Sequence, residues 1–80
     1  MFVKLTKVNI RSGAMAPDVR IKYENIDYFC GVSEIIGSGT PPTFMDLTYI
    51  AMGENFLYVL ETPDEVEQVI RREILKYEEQ

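Results

Sequence analysis

The chain has 80 residues, of which 46% are apolar and 26% charged, a composition that fits one small folded domain and argues against disorder. Thirteen acidic and eight basic side chains give a net charge of −5, which disfavours binding to nucleic-acid phosphates. A single cysteine excludes an intramolecular disulfide, the lack of histidine excludes imidazole chemistry, and no apolar run approaches the roughly 18 residues of a membrane helix.

The first strand is predicted over residues 2–11. Two pairs of its apolar side chains fall in opposite phase: Val3 with Leu5, and Val8 with Ile10. Because side chains alternate with period two, this strand needs a bulge, a bend or cover on both faces. Residues 12–18 contain Gly13 and Pro17 and are predicted to form a loop.

Two further strands are predicted before the middle of the chain. Residues 19–23 alternate, and their three apolar side chains are expected to face the core: Val19, Ile21 and Tyr23. Asn25 favours a turn, after which residues 26–34 place four side chains on one face: Ile26, Tyr28, Cys30 and Val32. Cys30 has apolar neighbours and is predicted to be a buried, unreactive thiol, while Gly31 is a candidate bulge.

The second half predicts a loop, a hairpin and a helix. Residues 37–42 contain two glycines and two prolines, which cannot continue a strand. A strand follows over 43–51, with Met45, Leu47, Tyr49 and Ala51 on one side and Phe44, Asp46, Thr48 and Ile50 on the other. Residues 52–55 form a tight turn, and the apolar run 56–61 indicates a strand covered on both faces in the centre of the sheet.

The helix is predicted from about Pro63 to Tyr77. Thr62 suits the N-cap, and Glu65 falls three residues later, as in a capping box. An apolar stripe recurs at spacings of three and four: Val66, Val69, Ile70, Ile74 and Tyr77. Glu67 and Arg71 form an i, i+4 pair, and residues 78–80 are expected to fray because their carboxylates oppose the helix dipole.

These elements predict an α+β fold: a four- to five-stranded antiparallel β-meander (residues 1–61) followed by one C-terminal amphipathic helix (62–78), in a single domain over 1–80. One helix covers only part of such a sheet. Five apolar side chains are candidates for the uncovered remainder: Phe2, Phe44, Ile50, Leu57 and Val59. Sheet curling or self-association could cover them.

The residues suggest binding rather than catalysis. Asp64 and Glu65 are read as helix-capping acids, and residues 37–40 lack the Lys-Ser/Thr of a phosphate-binding loop. We therefore expect no enzyme, no metal and no cofactor. Five tyrosines and four phenylalanines are enough for aromatic anchors of a protein interface. The candidate binding residues are Arg11, Arg20, Lys22, Tyr28, Thr40 and Phe44.

The order of features resembles small flagellar proteins of the FlbD type and related short phage and prophage proteins. The residues that carry the resemblance are the opening strand 1–6, the segment 24–28, the turn 52–55 and the helix entry 59–66. This chain departs from the short flagellar form at 12–17 and 37–42, which favours the phage-type relatives. The resemblance implies no catalytic residues and an accessory factor that binds a host component.

Two functions follow as expectations. The first is a non-enzymatic, cytoplasmic interaction module, phage-encoded and homo-oligomeric, that occludes a surface of a host protein with a sheet face or with the 37–43 loop. The alternative is a homo-oligomer that binds a small anionic, nucleotide-like ligand at subunit interfaces, with Arg11, Arg20 and Lys22 on the pocket rim. A structural subunit of a larger particle is a third interpretation.

Overall fold

A computed structural model describes residues 1–78 and shows a five-stranded antiparallel sheet followed by one helix, which confirms the α+β prediction. The elements are β1 (Phe2–Val8), β2 (Met15–Lys22), a 3-10 turn (Tyr23–Asn25), β3 (Tyr28–Ile36), β4 (Thr43–Met52), β5 (Asn55–Val59) and α1 (Pro63–Glu78). The strand order is β2-β1-β5-β4-β3, so the β1–β2 hairpin joins the β3–β4–β5 meander through β5. The central position of β5 agrees with its apolar sequence.

The main core lies between the sheet and α1, on what we call the helix face. Its buried side chains are Val3, Leu5, Ile21, Ile50, Val59, Val66 and Ile70. Ile50 and Val59 were among the side chains expected to lack cover, and this expectation is wrong because α1 buries both completely. Leu57 packs against the same core, whereas Phe2 and Phe44 remain 58% and 64% exposed.

The opposite side of the sheet, the second face, has a smaller buried region of its own. Val8, Leu47 and Ala51 are buried there, although they do not belong to the main core. The sheet curls over them, since the Gly37 N–H at the end of β3 donates to the Ile10 carbonyl after β1 at 2.8 Å. Curling is one of the two kinds of cover predicted from sequence. Strand β1 is buried on the helix face at Val3 and Leu5 and on the second face at Val8.

β2 begins earlier than predicted, because Met15, Ala16 and Pro17 extend it into the expected loop. The register with β1 shifts between Leu5 and Lys7, and Asp18 opposite this shift has a φ of 58°. Pro17 is tolerated because β2 is an edge strand, whose outward backbone groups need no ladder partner. The bulge therefore belongs to β2, and the two phases of the first strand are explained by cover on both faces: Val3 and Leu5 are buried on the helix face and Val8 on the second face.

Four other side chains differ from their predicted places. Tyr23 is the first residue of the 3-10 turn and is 38% exposed. Ile26 packs against the helix-face core rather than beside Tyr28. Cys30 is exposed, because the second face is open at the start of β3. Tyr77 is 70% exposed, since the buried stripe of α1 ends with Ile74.

The start of α1 is fixed by the predicted capping box. The Glu65 N–H donates to the Thr62 hydroxyl and the Thr62 N–H donates to the Glu65 carboxylate, both at 3.2 Å. Glu67 and Arg71 form the predicted ion pair at 2.7 Å. Of the terminal residues expected to fray, Glu78 is the last helical one, and 79–80 lie outside the described residues.

Gly31 allows α1 to pack closely on the sheet and does not form a bulge. It pairs with Thr48 in an unshifted β3–β4 register, so the predicted bulge is wrong. A Cβ built on Gly31 would lie 3.4 Å from Cγ of Pro63, the first residue of α1. The missing side chain therefore lets the helix start lie directly on the sheet.

Candidate functional site

Four aromatic rings form a connected cluster on the second face, which we call the aromatic cluster: Tyr28, Tyr49, Phe56 and Tyr58. Register explains the grouping, because Tyr49 pairs with Tyr58 across β4–β5 while Tyr28 and Phe56 flank Ala51 from β3 and β5. Tyr49 lies at the centre, with ring centroids 6.2 Å from Tyr28, 5.4 Å from Phe56 and 5.7 Å from Tyr58. Such offset and edge-to-face arrangements are favourable for aromatic pairs.

The cluster is half open to solvent. Tyr28 and Phe56 are 58% and 57% exposed, while Tyr49 and Tyr58 are half-buried beneath them. Ala51 lies between the two exposed rings, and its small side chain leaves a shallow floor. The exposed rings are therefore held in place by packing on the inner pair.

Tyr58 anchors the cluster to β3. Its hydroxyl donates to a carboxylate oxygen of Glu34 at 3.3 Å, a contact that spans β4 and shows how strongly the sheet curls. Partial burial of the ring raises the pKa of Tyr58, and the negative charge of Glu34 and the hydrogen bond to it add to the rise.

We expect Tyr58 to ionise at a higher pH than an unperturbed tyrosine, because its pKa is raised. Because its pKa is raised in the folded state, the stability that it contributes is fully present below the unfolded pKa of about 10 and is lost as pH rises through the folded pKa. Ultraviolet titration of tyrosinate checks this. Tyr58→Phe should remove the ionisation that lies above the usual tyrosine pKa of about 10, and Glu34→Gln should move it to lower pH. A Tyr58→Phe protein that keeps this ionisation would contradict the assignment.

The structure brings only some of the predicted binding residues together. Tyr28 belongs to the aromatic cluster, while Arg20 and Lys22 lie on the far edge strand β2, opposite Lys4 and Phe2. Thr40 lies in the β3–β4 loop, and Phe44 lies on the helix face opposite Ile35, beyond the start of α1. Tyr28 was predicted from the sequence as a binding residue, and Phe56 was not. The alternation of β4 and β5 through the 52–55 turn could have joined Phe56 to Tyr49, whereas Tyr28 joins them through the β3–β4 register.

Arg11 lies near the aromatic cluster on the side of the cluster that borders β1. It lines a cavity of about 400 Å³ with Lys7, Phe56 and Tyr58, where β1 and β5 diverge after only two register pairs. Arg20 and Lys22 do not line this cavity. Within one chain, the three predicted rim cations are therefore not gathered around a single pocket.

The charges of the chain are separated along it. Residues 1–22 carry five basic and one acidic side chain, whereas residues 23–80 carry three basic and twelve acidic ones. Consequently the β1–β2 hairpin is positive, and the end of the sheet near the exposed aromatic rings is acidic. Three exposed acids lie in the turns at that end: Glu24, Asp27 and Glu54.

Two of these turn acids have defined partners. Asp27 accepts a hydrogen bond from the Gly53 N–H at 2.6 Å, which ties the turn before β3 to the β4–β5 turn. Glu24 accepts hydrogen bonds from the N-terminal ammonium group, and this contact lowers the pKa of the Glu24 carboxyl group. Glu24 and Asp27 of this acidic rim are thus held in place by the fold.

Comparison with protein-family models, curated proteins and solved structures found no match. The resemblance to FlbD-type and phage proteins therefore stays a prediction. Within residues 1–78, no group of three or more Cys, Asp or Glu side chains could hold a metal ion, and no helix is long and apolar enough to cross a membrane.

Proposed function

We propose that this protein is a non-enzymatic protein-binding module that contacts its partner through the aromatic cluster. The observation that carries the proposal is the pairing of two exposed rings, Tyr28 and Phe56, with two half-buried rings that hold them. Large aromatic side chains dominate binding energy when they are already ordered, because little side-chain entropy is lost on association.

The surroundings of the cluster define the chemistry of the partner. Exposed carboxylates lie at Asp27, next to Tyr28, and at Glu54, two residues before Phe56. An apolar surface with an acidic rim fits a partner surface whose apolar depression has a basic rim. Charge complementarity of this kind mainly accelerates association and selects the partner, while the buried rings supply affinity.

The resemblance to phage proteins suggests that the partner is a host protein in the cytoplasm and that the mechanism is occlusion of a functional surface of that protein. The aromatic cluster, rather than the 37–43 loop, is the contact that we propose, since its exposed rings pack against Tyr49 and Tyr58.

A second candidate is binding of a small anionic ligand. The cavity lined by Arg11 and Phe56 favours it, because a guanidinium group near an aromatic ring suits an anionic group attached to a planar ring. A homo-oligomer would be required to bring Arg20 or Lys22 to the same pocket, as predicted for interface pockets.

The test compares Tyr28→Ala, Phe56→Ala and Tyr77→Ala, with Tyr77 as a matched aromatic control that is 70% exposed on α1. A protein retained from bacterial lysate by the wild type and by the control should be lost from both cluster variants. With the purified partner, each cluster variant should raise Kd about 30-fold or more, the cost of a hot-spot truncation.

Equal retention by all three variants would contradict the proposal. Native mass spectrometry of the same preparations distinguishes the small-ligand function from the protein-binding function. A bound mass of a few hundred daltons that persists in Tyr77→Ala and disappears in Arg11→Ala would support the small-ligand function instead.

A further inference from the structure

The two edges of the sheet are protected very differently. β2 carries Pro17, a bulge at Asp18 and the outward charges Arg20 and Lys22, all devices that discourage pairing with another strand. β3 is nine residues long, pairs with β4 in an unshifted register and carries one charge, Glu34. A long, regular and nearly uncharged edge is a template for strand addition.

We propose that β3 pairs with β3 of a second copy, so that two sheets join into one about a two-fold axis at Val32. This inference is independent of the proposed partner surface. The unprotected edge occurs once per chain, and the protected edge β2 opposes head-to-tail growth. Antiparallel β3–β3′ pairing therefore gives a closed dimer rather than a filament.

The sequence of β3 selects the register. With Val32 opposite itself, Phe29 on one copy lies opposite Ile35 on the other, twice by symmetry. Both residues lie on the helix face, where Phe29 packs at the margin of the core and Ile35 is 50% exposed. The pairing thus covers an apolar side chain that the monomer leaves in water.

The same register keeps the carboxylates apart. Glu34 lies opposite Cys30 of the other copy, which is exposed and uncharged, and the two Glu34 side chains are four residues apart along the strands. That separation is about 13 Å at roughly 3.3 Å per residue, longer than the Debye length of about 8 Å at physiological salt. A shift of the axis to residue 34 would place the carboxylates face to face.

The β1–β2 loop limits the length of the pairing. A Cβ on Gly13 would lie 3.1 Å from a methyl group of Ile36, so this loop reaches the last residue of β3. The edge available to a second copy is therefore residues 29–35, which is still as long as a typical strand of about 5–6 residues.

The test uses a charge swap at Cys30. In the proposed register, the lysine of Cys30→Lys lies opposite Glu34 of the other copy and attracts it, whereas the glutamate of Cys30→Glu repels it. Each contact occurs twice by symmetry. Sedimentation equilibrium should give a dimer Kd about tenfold lower for Cys30→Lys than for Cys30→Glu. Gln68→Lys and Gln68→Glu, on the exposed side of α1, change the net charge equally and should differ much less.

Cross-linking tests the axis directly. In a Cys30→Ser background, Val32→Cys should form a disulfide-linked dimer on mild oxidation, and Ser33→Cys should form far less. A wild-type protein that stays monomeric at high concentration would overturn the proposal. So would a difference in dimer Kd between the two Cys30 variants that is no larger than the difference between the two Gln68 variants. Cross-linking that is equal at positions 32 and 33 would also overturn it.

Discussion

Ile50→Ala should lower the free energy of unfolding by about 2–5 kcal/mol, the usual cost of truncating a fully buried aliphatic side chain. Ile50 is 0% exposed in β4 and packs in the core under α1 with Val59 and Val66. A domain of this size has only about 4–12 kcal/mol in total. The variant should therefore lose a large share of its stability and can approach complete unfolding at room temperature.

Urea unfolding followed by circular dichroism measures this loss. At an m-value of about 1 kcal/mol per molar urea, the midpoint should fall by about 2 M or more. Phe44→Ala is the matched control, since Phe44 lies on the same strand and face but is 64% exposed beyond the helix start. Its unfolding free energy should change by less than about 0.5 kcal/mol. Equal losses in the two variants would contradict the placement of α1.

The local signals in the sequence predicted most of the secondary structure. Thr62 and Glu65 fixed the helix start, and the residues around Gly53 fixed the β4–β5 turn, because both depend on neighbours in the chain. The alternation within 43–51 assigned residues 44–51 of β4 to two faces, and the structure has the same two sets. These features need no knowledge of distant contacts.

Features that depend on distant contacts were predicted less well. Cys30 was predicted to be buried because its neighbours are apolar. It lies with Tyr49 on the second face, and the sequence does not show which face of the sheet α1 covers. Ile50 and Val59 looked uncovered for the same reason. The return of β5 beside β1 could not be read from any local pattern, since it rests on two register pairs between residues about 50 positions apart.

The aromatic cluster shows the same division. The sequence indicated that aromatic residues on strands could serve as anchors, and it named Tyr28 among the candidates. Which rings meet depends on strand register, and the register that joins Tyr49 to Tyr58 and Phe56 follows from the turn at Gly53. The contact from Tyr58 to Glu34 depends on sheet curvature, which single-strand patterns do not encode.

Glu61→Ala should be the most destabilising substitution of a carboxylate in this chain. Both Glu61 carboxylate oxygens accept the Thr6 N–H, at 2.9 and 3.1 Å, and one also accepts the Thr6 hydroxyl at 3.0 Å. The Glu61 carbonyl accepts the Thr48 hydroxyl at 2.6 Å. Glu61 therefore fastens β1 to the β5–α1 junction, where the strands share only two register pairs.

Removing the carboxylate takes the acceptor away from two part-buried donors, the N–H and the hydroxyl of Thr6. This loss should cost about 1.5–3 kcal/mol of unfolding free energy. Glu61→Gln keeps one acceptor oxygen and should cost less. Glu67→Ala is the control, because its exposed i, i+4 pair with Arg71 is worth only about 0.3–0.5 kcal/mol.

A double-mutant cycle with Thr6→Val isolates the hydroxyl contact, since valine keeps the backbone N–H. Amide hydrogen exchange adds an independent measurement, in which the Thr6 N–H should lose protection in Glu61→Ala and keep it in Glu67→Ala. If Glu61→Ala costs no more than Glu67→Ala, the backbone hydrogen bonds between β1 and β5 and side-chain packing hold the two halves of the sheet together without this carboxylate. If the predicted loss is found, one carboxylate links the β1–β2 hairpin to the meander that carries the aromatic cluster.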